Sequence, residues 1–390
     1  MRKICVVTGY RSDYTKLKSV VRSIDDSNKL ELQMVAFGAH LLKDYGNSIK
    51  NIELDGYKID YKCATNIEGD SPLVMSKSVG FATIELSSAF EKLEPDLVLI
   101  VGDRYEIMAA AVAASIGNIP LAHIQGGEVS GTIDETIRHT ITKLAHIHFP
   151  STELSKKRIL LMGENPENVF NVGCPAVDCI RGITQVSRHD LKKLDGLSRL
   201  KIDFEKPYII LIQHPVTTEY TQSGKQMQVT LEALQEYGVQ TVLIYPNPDA
   251  GSSDMLRIIR KYSREYGKEA VVYNKYKNLS FNSYLNLLKH SKCLIGNSSS
   301  GIREAYEYSI PVVNIGSRQS SRERTSNIID VRHNKEDIKI AMKQAFLYKK
   351  IFNKKSIYGN GNSGAKISEI LSVISLKNLV QKKLYLGNLR

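Results

Sequence analysis

Short apolar runs alternate with stretches of helical period along the whole chain, and this alternation constrains the fold more than any other feature of the sequence. The apolar runs are rich in Val, Ile and Leu, which is typical of parallel strands that are covered on both faces. The stretches between them have the helical period of crossover segments. The pattern therefore predicts an α/β protein with parallel, doubly wound sheets.

The predicted strands form two groups, one in each half of the chain. The first group is KICVVT, LELQMVAFG, YKIDYK, DLVLIVG, IPLAHI, HIHFPS and NVFNVG, and the second is YIILIQH, QTVLIYP, EAVVYN, CLIGN and IPVVNIG. A polar segment that ends at Pro207 lies between them, and we place the hinge there, at residues 180–206. We expect two Rossmann-like domains, residues 1–180 and 181–364. The apolar period in residues 365–390 predicts a last helix that packs on a domain.

The composition is that of a folded, soluble protein. Of the 390 residues, 42% are hydrophobic and 24% are charged, which excludes a disordered chain. No run approaches the roughly 18 to 20 apolar residues of a membrane helix, so we expect no membrane association and a cytoplasmic location. The five cysteines are scattered, odd in number and without a CxxC pair, which indicates reduced thiols.

The net charge of +12 calls for an anionic partner or a solvated basic face. Much of the positive charge follows Lys349, where Glu369 is the one acidic residue. Neither a nucleic-acid reader motif nor a basic platform with stacking aromatic residues is evident. We therefore expect a solvated basic helix at the end of the chain and no nucleic-acid partner.

Polar residues directly after the strands are the first candidates for a site, because ligands bind outside the carboxyl ends of open parallel sheets. After the first strand, Arg11 and Tyr14 stand where a dinucleotide fingerprint needs glycine. Arg11 is either a forked donor to a phosphate or carboxylate, or a surface partner of Asp13. Asp103 and Arg104 follow a central strand, where the aspartate is either functional or an N-cap.

The segment LAHIQGGEVSGTIDETIRHTITKLAHIH concentrates titratable residues. Thr132 and Glu135 have the spacing of a capping box, so a helix is predicted to begin there, with Asp134 in its first turn and Arg138 one turn later. A capped helix does not explain Glu128, which follows two glycines. The histidines, which include His139, lack a metal-ligand spacing such as HExxH, so no metal is expected.

In the second half, His214 ends a strand just before a proline and is expected to face the crevice. The segment CLIGNSSSGIREA places small hydroxyl residues at a predicted helix start, which favours an anion site over a simple N-cap. Glu304, one turn into that helix, could accept hydrogen bonds from a ribose. Arg318 and Arg322 follow the next strand and strengthen the prediction of a diphosphate site.

Seven motifs, in the same order along the chain, resemble the UDP-N-acetylglucosamine 2-epimerase family: TGYRSDYTKLK, GDRYE, GGEVSGTIDETIRHTITKLAHIH, QHPVTTE, YPNPDAGS, IGNSSSGIREA and NIGSRQSSRE. The chain is most similar to the hydrolysing branch, which makes N-acetylmannosamine for sialic acid and surface polysaccharide synthesis. The resemblance implies a GT-B fold with a cleft between its domains, and a C-terminal helix that crosses back to the first domain. It also implies a homodimer or homotetramer, a UDP-sugar substrate and no cofactor.

The resemblance further assigns roles to individual residues. Those implied to hold or border the UDP-sugar are Arg11, Arg104, Arg138, His139, Asn247, Ser298, Ser299, Ser300, Gly301, Glu304 and Arg318. Those implied to lie at the chemistry are Asp103, Gln125, Glu128, Asp134 and His214. Gln125 stands where the family usually has an acid/base glutamate, and a neutral amide cannot exchange a proton in that way. The proton transfer then falls on Asp103, Asp134, Glu128 or a histidine, or turnover is altered, or the substrate differs.

The chemistry implied for such a family is elimination followed by hydration. UDP leaves C1 as the proton on C2 is removed, a 2-acetamidoglucal forms, and water adds to give N-acetylmannosamine. Three alternatives stay open on the sequence: a 2-epimerase of a UDP- or GDP-linked diacetamido-trideoxy sugar, a GT-B glycosyltransferase, and a nucleotide-binding protein without turnover.

Overall fold

A computed structural model describes residues 1–42, 47–194, 197, 202–276, 279–349 and 356–385. They form two six-stranded sheets, each entirely parallel, with helices between the strands. The predicted α/β class and the division into two doubly wound sheets are confirmed.

The first sheet has the strand order β3-β2-β1-β4-β5-β6. Its strands are β1 Arg2–Thr8, β2 Leu30–Phe37, β3 Tyr61–Cys63, β4 Leu97–Val101, β5 Leu121–Ile124 and β6 Ile147–Phe149. The helices around it are α1 Arg11–Asp25, α2 Ile49–Leu54, α3 Pro72–Leu93, α4 Ile107–Ile116, α5 Ile133–Leu144, α6 Glu153–Leu161 and α7 Pro175–Gly182.

The second sheet has the order β12-β11-β10-β7-β8-β9. Its strands are β7 Ile209–Ile212, β8 Thr241–Ile244, β9 Val272–Tyr276, β10 Leu294–Gly296, β11 Val312–Ile315 and β12 Ile328–Val331. The helices are α8 Ser223–Tyr237, α9 Ser252–Tyr266, α10 Phe281–His290, α11 Glu304–Glu307, α12 Lys335–Leu347 and α13 Ser363–Val373.

Each sheet is buried on both faces, which explains why its strands are apolar without alternation. In β1, Ile4 and Val6 face one core, while Cys5 and Val7 face another. The second sheet is likewise covered by two separate hydrophobic clusters. The apolar runs thus mark central strands that helices enclose on both sides.

The predictions fail at the sheet edges. YKIDYK forms a strand only from Tyr61, and NVFNVG forms no named strand but a single bridge between Val169 and His148. Strand β12, Ile328–Val331, was not predicted, because its residues are only partly buried and its sequence is correspondingly less apolar. Edge strands have one partner and a weaker apolar signal.

The C-terminal segment is helical for only part of its predicted length. Helix α13 ends at Val373, with Ile374 in extended conformation, so the prediction of one helix through residues 365–390 is wrong for residues 374–385. Ile367 and Leu371 of α13 enter the core beside α1. Residues 386–390 and the predicted basic positions Lys350, Lys354 and Lys355 lie outside the described residues. The domain boundaries remain a prediction.

No helix among the described residues is long and apolar enough to cross a membrane. The five cysteines are free thiols; four of them are buried, and Cys179 is partly buried. Burial raises the pKa of the Cys179 thiol to about 12.

Candidate active site

The candidate site lies where the strand order reverses in each sheet. In the first sheet this point is between β1 and β4, and in the second it is between β7 and β10. Loops on either side of such a reversal diverge and leave a crevice at the carboxyl ends of the strands. Arg11 and Asp103 follow β1 and β4, whereas His214 and Ser298 follow β7 and β10. The topology therefore directs the predicted residues of both halves toward the two crevices.

A cavity of about 230 Å³ lies between the two sheets and is lined from both halves of the chain. The first half contributes residues of α1 and α2, and the second half contributes the loops after β7, β8 and β10 and the start of α10. Seven predicted site residues line it: Arg11, His214, Asn247, Ser298, Ser299, Ser300 and Glu304. The structure thus brings together most of the residues predicted for a nucleotide diphosphate, although Arg104 and Arg318 do not line this cavity.

His214 is oriented by the loop that follows β8. Its Nδ1 atom accepts a hydrogen bond from the backbone N–H of Asn247 at 3.1 Å, which leaves the ring proton of the neutral form on Nε2. The Asn297 side chain accepts a hydrogen bond from the His214 N–H at 2.7 Å and donates one to the His214 carbonyl at 2.8 Å. Burial, aided by Arg318 and Arg11, holds the pKa of His214 well below its usual value. A neutral imidazole held in this way donates a hydrogen bond through Nε2.

The loop Ser298–Gly301, the serine loop, does not begin a long helix as predicted. Instead of opening a long helix, Ser299–Gly301 forms one 3₁₀ turn, and α11 is a single turn from Glu304 to Glu307. The Ser298 side chain accepts a hydrogen bond from the Ser300 N–H at 3.3 Å, and Ser300 also bonds to the Tyr284 hydroxyl. The loop therefore offers hydroxyl groups and the end of a short turn to an anion.

Gly301 serves packing. A Cβ atom there would lie 2.8 Å from Val312 Cγ1, and the backbone has no positive φ, so the glycine lets the turn approach β11 closely.

Glu304 is 9% exposed, and its Oε2 atom has no hydrogen-bond partner within the described residues. Burial raises the pKa of Glu304. An unpartnered carboxylate oxygen at the cavity wall is a suitable acceptor for a ribose hydroxyl.

A second, smaller cavity of about 20 Å³ adjoins the loops that carry the predicted chemistry. It is lined by Arg104, Asp134 and Arg318, together with Met75, Tyr105 and Val216. Arg318 donates to the Asn297 carbonyl at 3.2 Å and lies 3.4 Å from Asp134. Arg104 binds Glu106 and Asp249, at 2.7 and 2.8 Å, and so links the two halves.

Asp103 belongs to a buried network of charges. It is not an N-cap, since the residue before α4 is Glu106. Its carboxylate binds Arg138 and lies 3.5 Å from Arg322. Burial opposes its charge, but Arg138, Lys16 and Arg322 outweigh burial and hold the pKa of Asp103 well below its usual value. Asp103 is therefore a carboxylate throughout the neutral range.

Glu128 anchors the same network from the other side. It binds Arg303 at 2.5 Å and Arg322 at 2.6 Å. Burial raises the pKa of Glu128, but the two arginines lower it more, to about 2. Glu128 is thus permanently ionised and held by structural partners. Arg322, which sequence reasoning aimed at a diphosphate together with Arg318, instead turns inward to Glu128.

The pKa of Asp134 is raised, whereas that of Glu128 is lowered. Asp134 lies in the first turn of α5, whose N-cap Thr132 accepts a hydrogen bond from the Asp134 N–H at 3.3 Å. Burial raises the pKa of Asp134, and the nearby charges of Asp103 and Asp249 add to this against the lowering effect of Arg318. Asp134 lines the smaller cavity, whereas Asp103 and Glu128 line neither cavity, and its raised pKa makes it suited to exchange a proton.

Gln125 is 1% exposed and has a φ of 66°. Its amide donates to the Cys174 sulfur at 3.2 Å, while its Oε1 atom has no partner within the described residues. Gly127, two residues further along, has a φ of 74°, and a Cβ atom there would lie 2.3 Å from the Ser155 carbonyl oxygen. The loop is therefore tightly packed, and it fixes the position of the glutamine side chain.

The histidines near this loop do not form a cluster with ligand geometry. His139 faces Glu135 at 3.9 Å and lines neither of the two cavities, so its predicted place beside the substrate gains no support from position. His123 bonds to the Gly102 carbonyl and Thr142, and His148 bonds to Glu164. Within the described residues, no group of three or more His, Cys, Asp or Glu could hold a metal ion.

Sequence reasoning missed several residues of the site. Lys16, on α1, lines the larger cavity and lies close enough to Asp103 to lower its pKa. Phe281 and Tyr284, on α10, form an aromatic wall of the same cavity. The signal for Lys16 was its place in the first turns of a helix that starts at a sheet reversal. The aromatic pair follows no strand directly, and so nothing local marked it.

Comparison with known proteins identifies the family and the fold. Residues 22–372 match the sequence model of the UDP-N-acetylglucosamine 2-epimerase family. The UDP-N,N'-diacetylbacillosamine 2-epimerase (hydrolyzing) of Legionella pneumophila is 34% identical over 98% of this chain and 99% of its own length. The UDP-N-acetylglucosamine 2-epimerase of Neisseria meningitidis is 33% identical over 96% of this chain and 95% of its own length.

A solved structure agrees with the fold. The UDP-GlcNAc 2-epimerase of Methanocaldococcus jannaschii, in complex with UDP-GlcNAc and UDP, has a TM-score of 0.79 and 20% identity, and the match covers 95% of this chain and 99% of that one. The chain therefore has the predicted GT-B architecture of two Rossmann-like units.

Proposed function

The chain belongs to the UDP-N-acetylglucosamine 2-epimerase family, and on this premise we propose that it is a hydrolysing 2-epimerase that converts a UDP-linked 2-acetamido sugar into UDP and the free 2-epimer. One observation carries the proposal. Arg318 donates to the carbonyl of Asn297, the residue before the serines that line the larger cavity, and it also contacts Asp134 at 3.4 Å. The group that would hold the leaving diphosphate is thus in contact with the carboxylate that is suited to proton transfer.

The reaction begins with loss of UDP, because the proton on C2 has no neighbouring carbonyl to make it acidic. As the C1–O bond breaks, its electron pair leaves with UDP, C1 gains positive charge and the C2–H bond becomes acidic. A base then removes that proton from the face opposite UDP, and the C–H electron pair forms the C1=C2 bond of a 2-acetamidoglucal. Water next adds its hydroxyl to C1, and a proton reaches C2 from the other face.

The residues of the larger cavity suit the first step. Arg11, the serine loop and the Nε2–H of His214 donate to the diphosphate as negative charge develops on it. Glu304 accepts from the ribose. Donors that are fixed before the reaction stabilise the leaving group without reorganisation.

The carboxylates suit the second step. Asp134 removes or returns the proton at C2, because a carboxylate with a raised pKa is a stronger base than an ordinary aspartate. Asp103 stays ionised and stabilises the cation-like C1. Gln125 takes no proton and acts as a fixed amide beside Cys174. Because this position lacks an acid, the glycal is expected to escape in part before water adds.

The sugar itself is the open part of the proposal. We take UDP-N-acetylglucosamine as the first candidate, with N-acetylmannosamine as its product for sialic acid and surface polysaccharide synthesis. A UDP-linked diacetamido-trideoxy sugar is the second candidate, because the Legionella pneumophila relative is named for UDP-N,N'-diacetylbacillosamine. We also propose a homodimer or homotetramer.

The test is incubation of the full chain with each UDP-sugar alone, followed by proton NMR in D₂O. The proposal expects free UDP, the free 2-epimer, and deuterium at C2 of the product, because the proton there comes from solvent. Chelation by EDTA should leave the rate unchanged. If both nucleotide sugars stay intact unless an acceptor is added, the protein is a glycosyltransferase. If UDP binds but neither sugar turns over under any condition, the protein is a nucleotide-binding protein.

A further inference from the structure

Gly131, just before the N-cap of helix α5, touches the second half of the chain through its backbone. Its N–H donates a hydrogen bond to the Arg318 carbonyl at 3.3 Å. A Cβ atom at this position would lie 1.9 Å from the Ser317 carbonyl oxygen and 2.9 Å from Ser320 Cβ. Both distances are shorter than real Cβ atoms show, so only a glycine lets the two backbones meet here.

The glycine is needed for the space that it leaves and not for its own conformation. The φ of Gly131 is not positive, so other residues could adopt the same backbone. Gly182, at the end of α7, gives a contrast, because a Cβ atom there would meet nothing within 4 Å. A methyl group is therefore excluded at position 131 by the opposite half and is tolerated at position 182.

The turn that faces Gly131, residues 317–320, is fixed within the second half. The Ser317 hydroxyl donates to Glu219 at 2.7 Å, and the Gln319 amide donates to the Asn297 carbonyl at 2.8 Å. These bonds hold the turn to the loops that follow strands β7 and β10. A Cβ atom at position 131 would therefore displace the whole turn away from α5.

The same turn carries Arg318. Its guanidinium donates to the Asn297 carbonyl at 3.2 Å and lies 3.4 Å from the Asp134 carboxylate. Asp134 follows Gly131 by three residues and lies in the first turn of α5. The backbone contact of Gly131 and the side-chain contact of Asp134 thus join the same two segments of the chain. Whatever separates the first contact also separates the second.

We propose that Gly131 is a positioning residue, which sets Arg318 at its distance from Asp134 by admitting the 317–320 turn against its own backbone. The inference rests on the 2-epimerase reaction proposed above, in which Asp134 exchanges the proton on C2. Gly131 touches no reacting atom and acts through Arg318. A larger residue at this position separates the arginine from the carboxylate that serves as the base.

The first test adds the missing Cβ atom. Gly131→Ala should lower kcat about 10²-fold, because a displacement of about 1 Å between reacting groups has an effect of this size. UDP affinity, measured by calorimetry, should change less than about threefold, since Arg318 does not line the larger cavity. Gly182→Ala is the matched control and should retain the original kcat. Gly131 is exposed, so the methyl group enters no core, and circular dichroism checks that both variants are folded.

The pH profile separates positioning from a general loss of structure. Arg318 lowers the pKa of Asp134 against the effect of burial. When the arginine is displaced, the pKa of Asp134 rises further, and the base becomes protonated at a higher pH. The acid limb of the kcat profile should therefore shift to higher pH in Gly131→Ala and stay in place in Gly182→Ala. A profile that is lowered without any shift of this limb overturns the proposal.

A double variant tests whether Gly131 acts through Arg318. In a chain that already carries Arg318→Ala, Gly131→Ala should lower kcat less than about threefold, because the group that it displaces is absent. Effects that multiply in the double variant overturn the proposal. A Gly131→Ala variant with the original kcat and the original pH profile also overturns it.

Hydrogen–deuterium exchange tests the contact without turnover. Peptides that contain residues 317–320 should exchange faster in Gly131→Ala than in the original chain or in Gly182→Ala, because the turn loses its contact with α5. Equal exchange in all three proteins overturns the proposal. If the original chain turns over neither UDP-sugar, the proposed function fails. Faster exchange in Gly131→Ala alone then still supports the placement of Arg318 by Gly131.

Discussion

Asp134 and Glu128 are six positions apart in the chain, yet their surroundings give their carboxyl groups opposite properties. Two arginines within 2.6 Å lower the pKa of Glu128 to about 2 despite its burial. Burial raises the pKa of Asp134, and the charges of Asp103 and Asp249 add to this effect, against Arg318 at 3.4 Å and Arg104. At neutral pH, Glu128 can serve only as a fixed negative charge, whereas Asp134 is suited to proton transfer.

Asp134→Asn should lower kcat by about 10² to 10⁴, because a general base is removed while the shape is kept. UDP affinity, measured by calorimetry, should stay within about threefold. In the original chain, the acid limb of the kcat profile should lie above the ordinary aspartate pKa of 3.8, since the base must be ionised and its pKa is raised. Glu135→Gln, one residue further on, is the control and should retain the rate. A variant that keeps full kcat would remove Asp134 from the chemistry.

Gln125→Glu tests whether the amide at position 125, where the family usually has a glutamate, alters the products of the reaction. The new carboxyl group can exchange a proton, so we expect less glycal and more free sugar for each UDP released, measured by NMR of the products. Gln125→Leu is the control, since it removes the amide contact to Cys174 without adding an acid. If Gln125→Glu changes neither the rate nor the product ratio, Gln125 does not lie at the reacting atoms.

At the scale of elements, helix α5 is held at both ends by residues from different parts of the chain. Thr132 caps its start, and Lys382, from the segment after α13, donates to the carbonyl groups of Thr142, Lys143 and Ala145 at its end. Lys382 also binds the buried Glu164, which lies beside His148. The last described segment of the chain thus stabilises the helix that presents Asp134 to the cleft.

Glu164→Gln should lower the free energy of unfolding at pH 7 by about 2 kcal/mol, because the buried carboxylate loses its ion pairs with the partly exposed Lys143 and Lys382. Burial raises the pKa of Glu164, but His148, Lys143 and Lys382 lower it to about 2. A depressed pKa contributes stability above the unfolded value of 4.5, and this is lost as pH falls toward 2. The difference between original and variant in denaturant titrations should therefore vanish over that window. Glu167→Gln, at an exposed position nearby, is the control.

At the scale of the whole molecule, the cleft is closed by ionic contacts between the two halves. Arg104 binds Asp249 at 2.8 Å, and Glu128 binds Arg303 and Arg322 from the second half. Asp70 accepts a hydrogen bond from the Ser253 N–H at 2.8 Å. Because these contacts lie around the two cavities, substrate binding and the relative position of the halves are expected to be coupled.

Asp249→Asn should loosen this closure, because its ion pair with Arg104 becomes a hydrogen bond from a charged guanidinium to a neutral amide, which is about 1 to 2 kcal/mol weaker. We expect a larger radius of gyration by small-angle X-ray scattering without ligand, and recovery of the original value when UDP is added. Asp254→Asn is the matched control, since Asp254 forms an exposed ion pair with Arg257 of the same helix, α9. An unchanged scattering curve for Asp249→Asn would show that this pair does not hold the halves together.

Most of the fold could be predicted from the sequence, whereas only part of the site could. The central strands and the start of α5 are local signals, because apolar runs and capping residues act over a few neighbours. The serine loop and His214 were found because strand ends at a sheet reversal face a crevice. The edge strand β12, the end of α13 and the aromatic pair Phe281 and Tyr284 carried no comparable local signal.

The sequence by itself determined the two parallel sheets, the polar residues that follow their strands and hence the set of residues available to the cleft. Only the tertiary structure decided which of those residues meet. Glu128 finds Arg303 and Arg322 at separations of 175 and 194 residues, and Arg104 finds Asp249 at 145. The physical reason is that a buried charge is stable only beside an opposite charge. Which charge that is depends on how the two sheets are set against each other, and no local pattern encodes it.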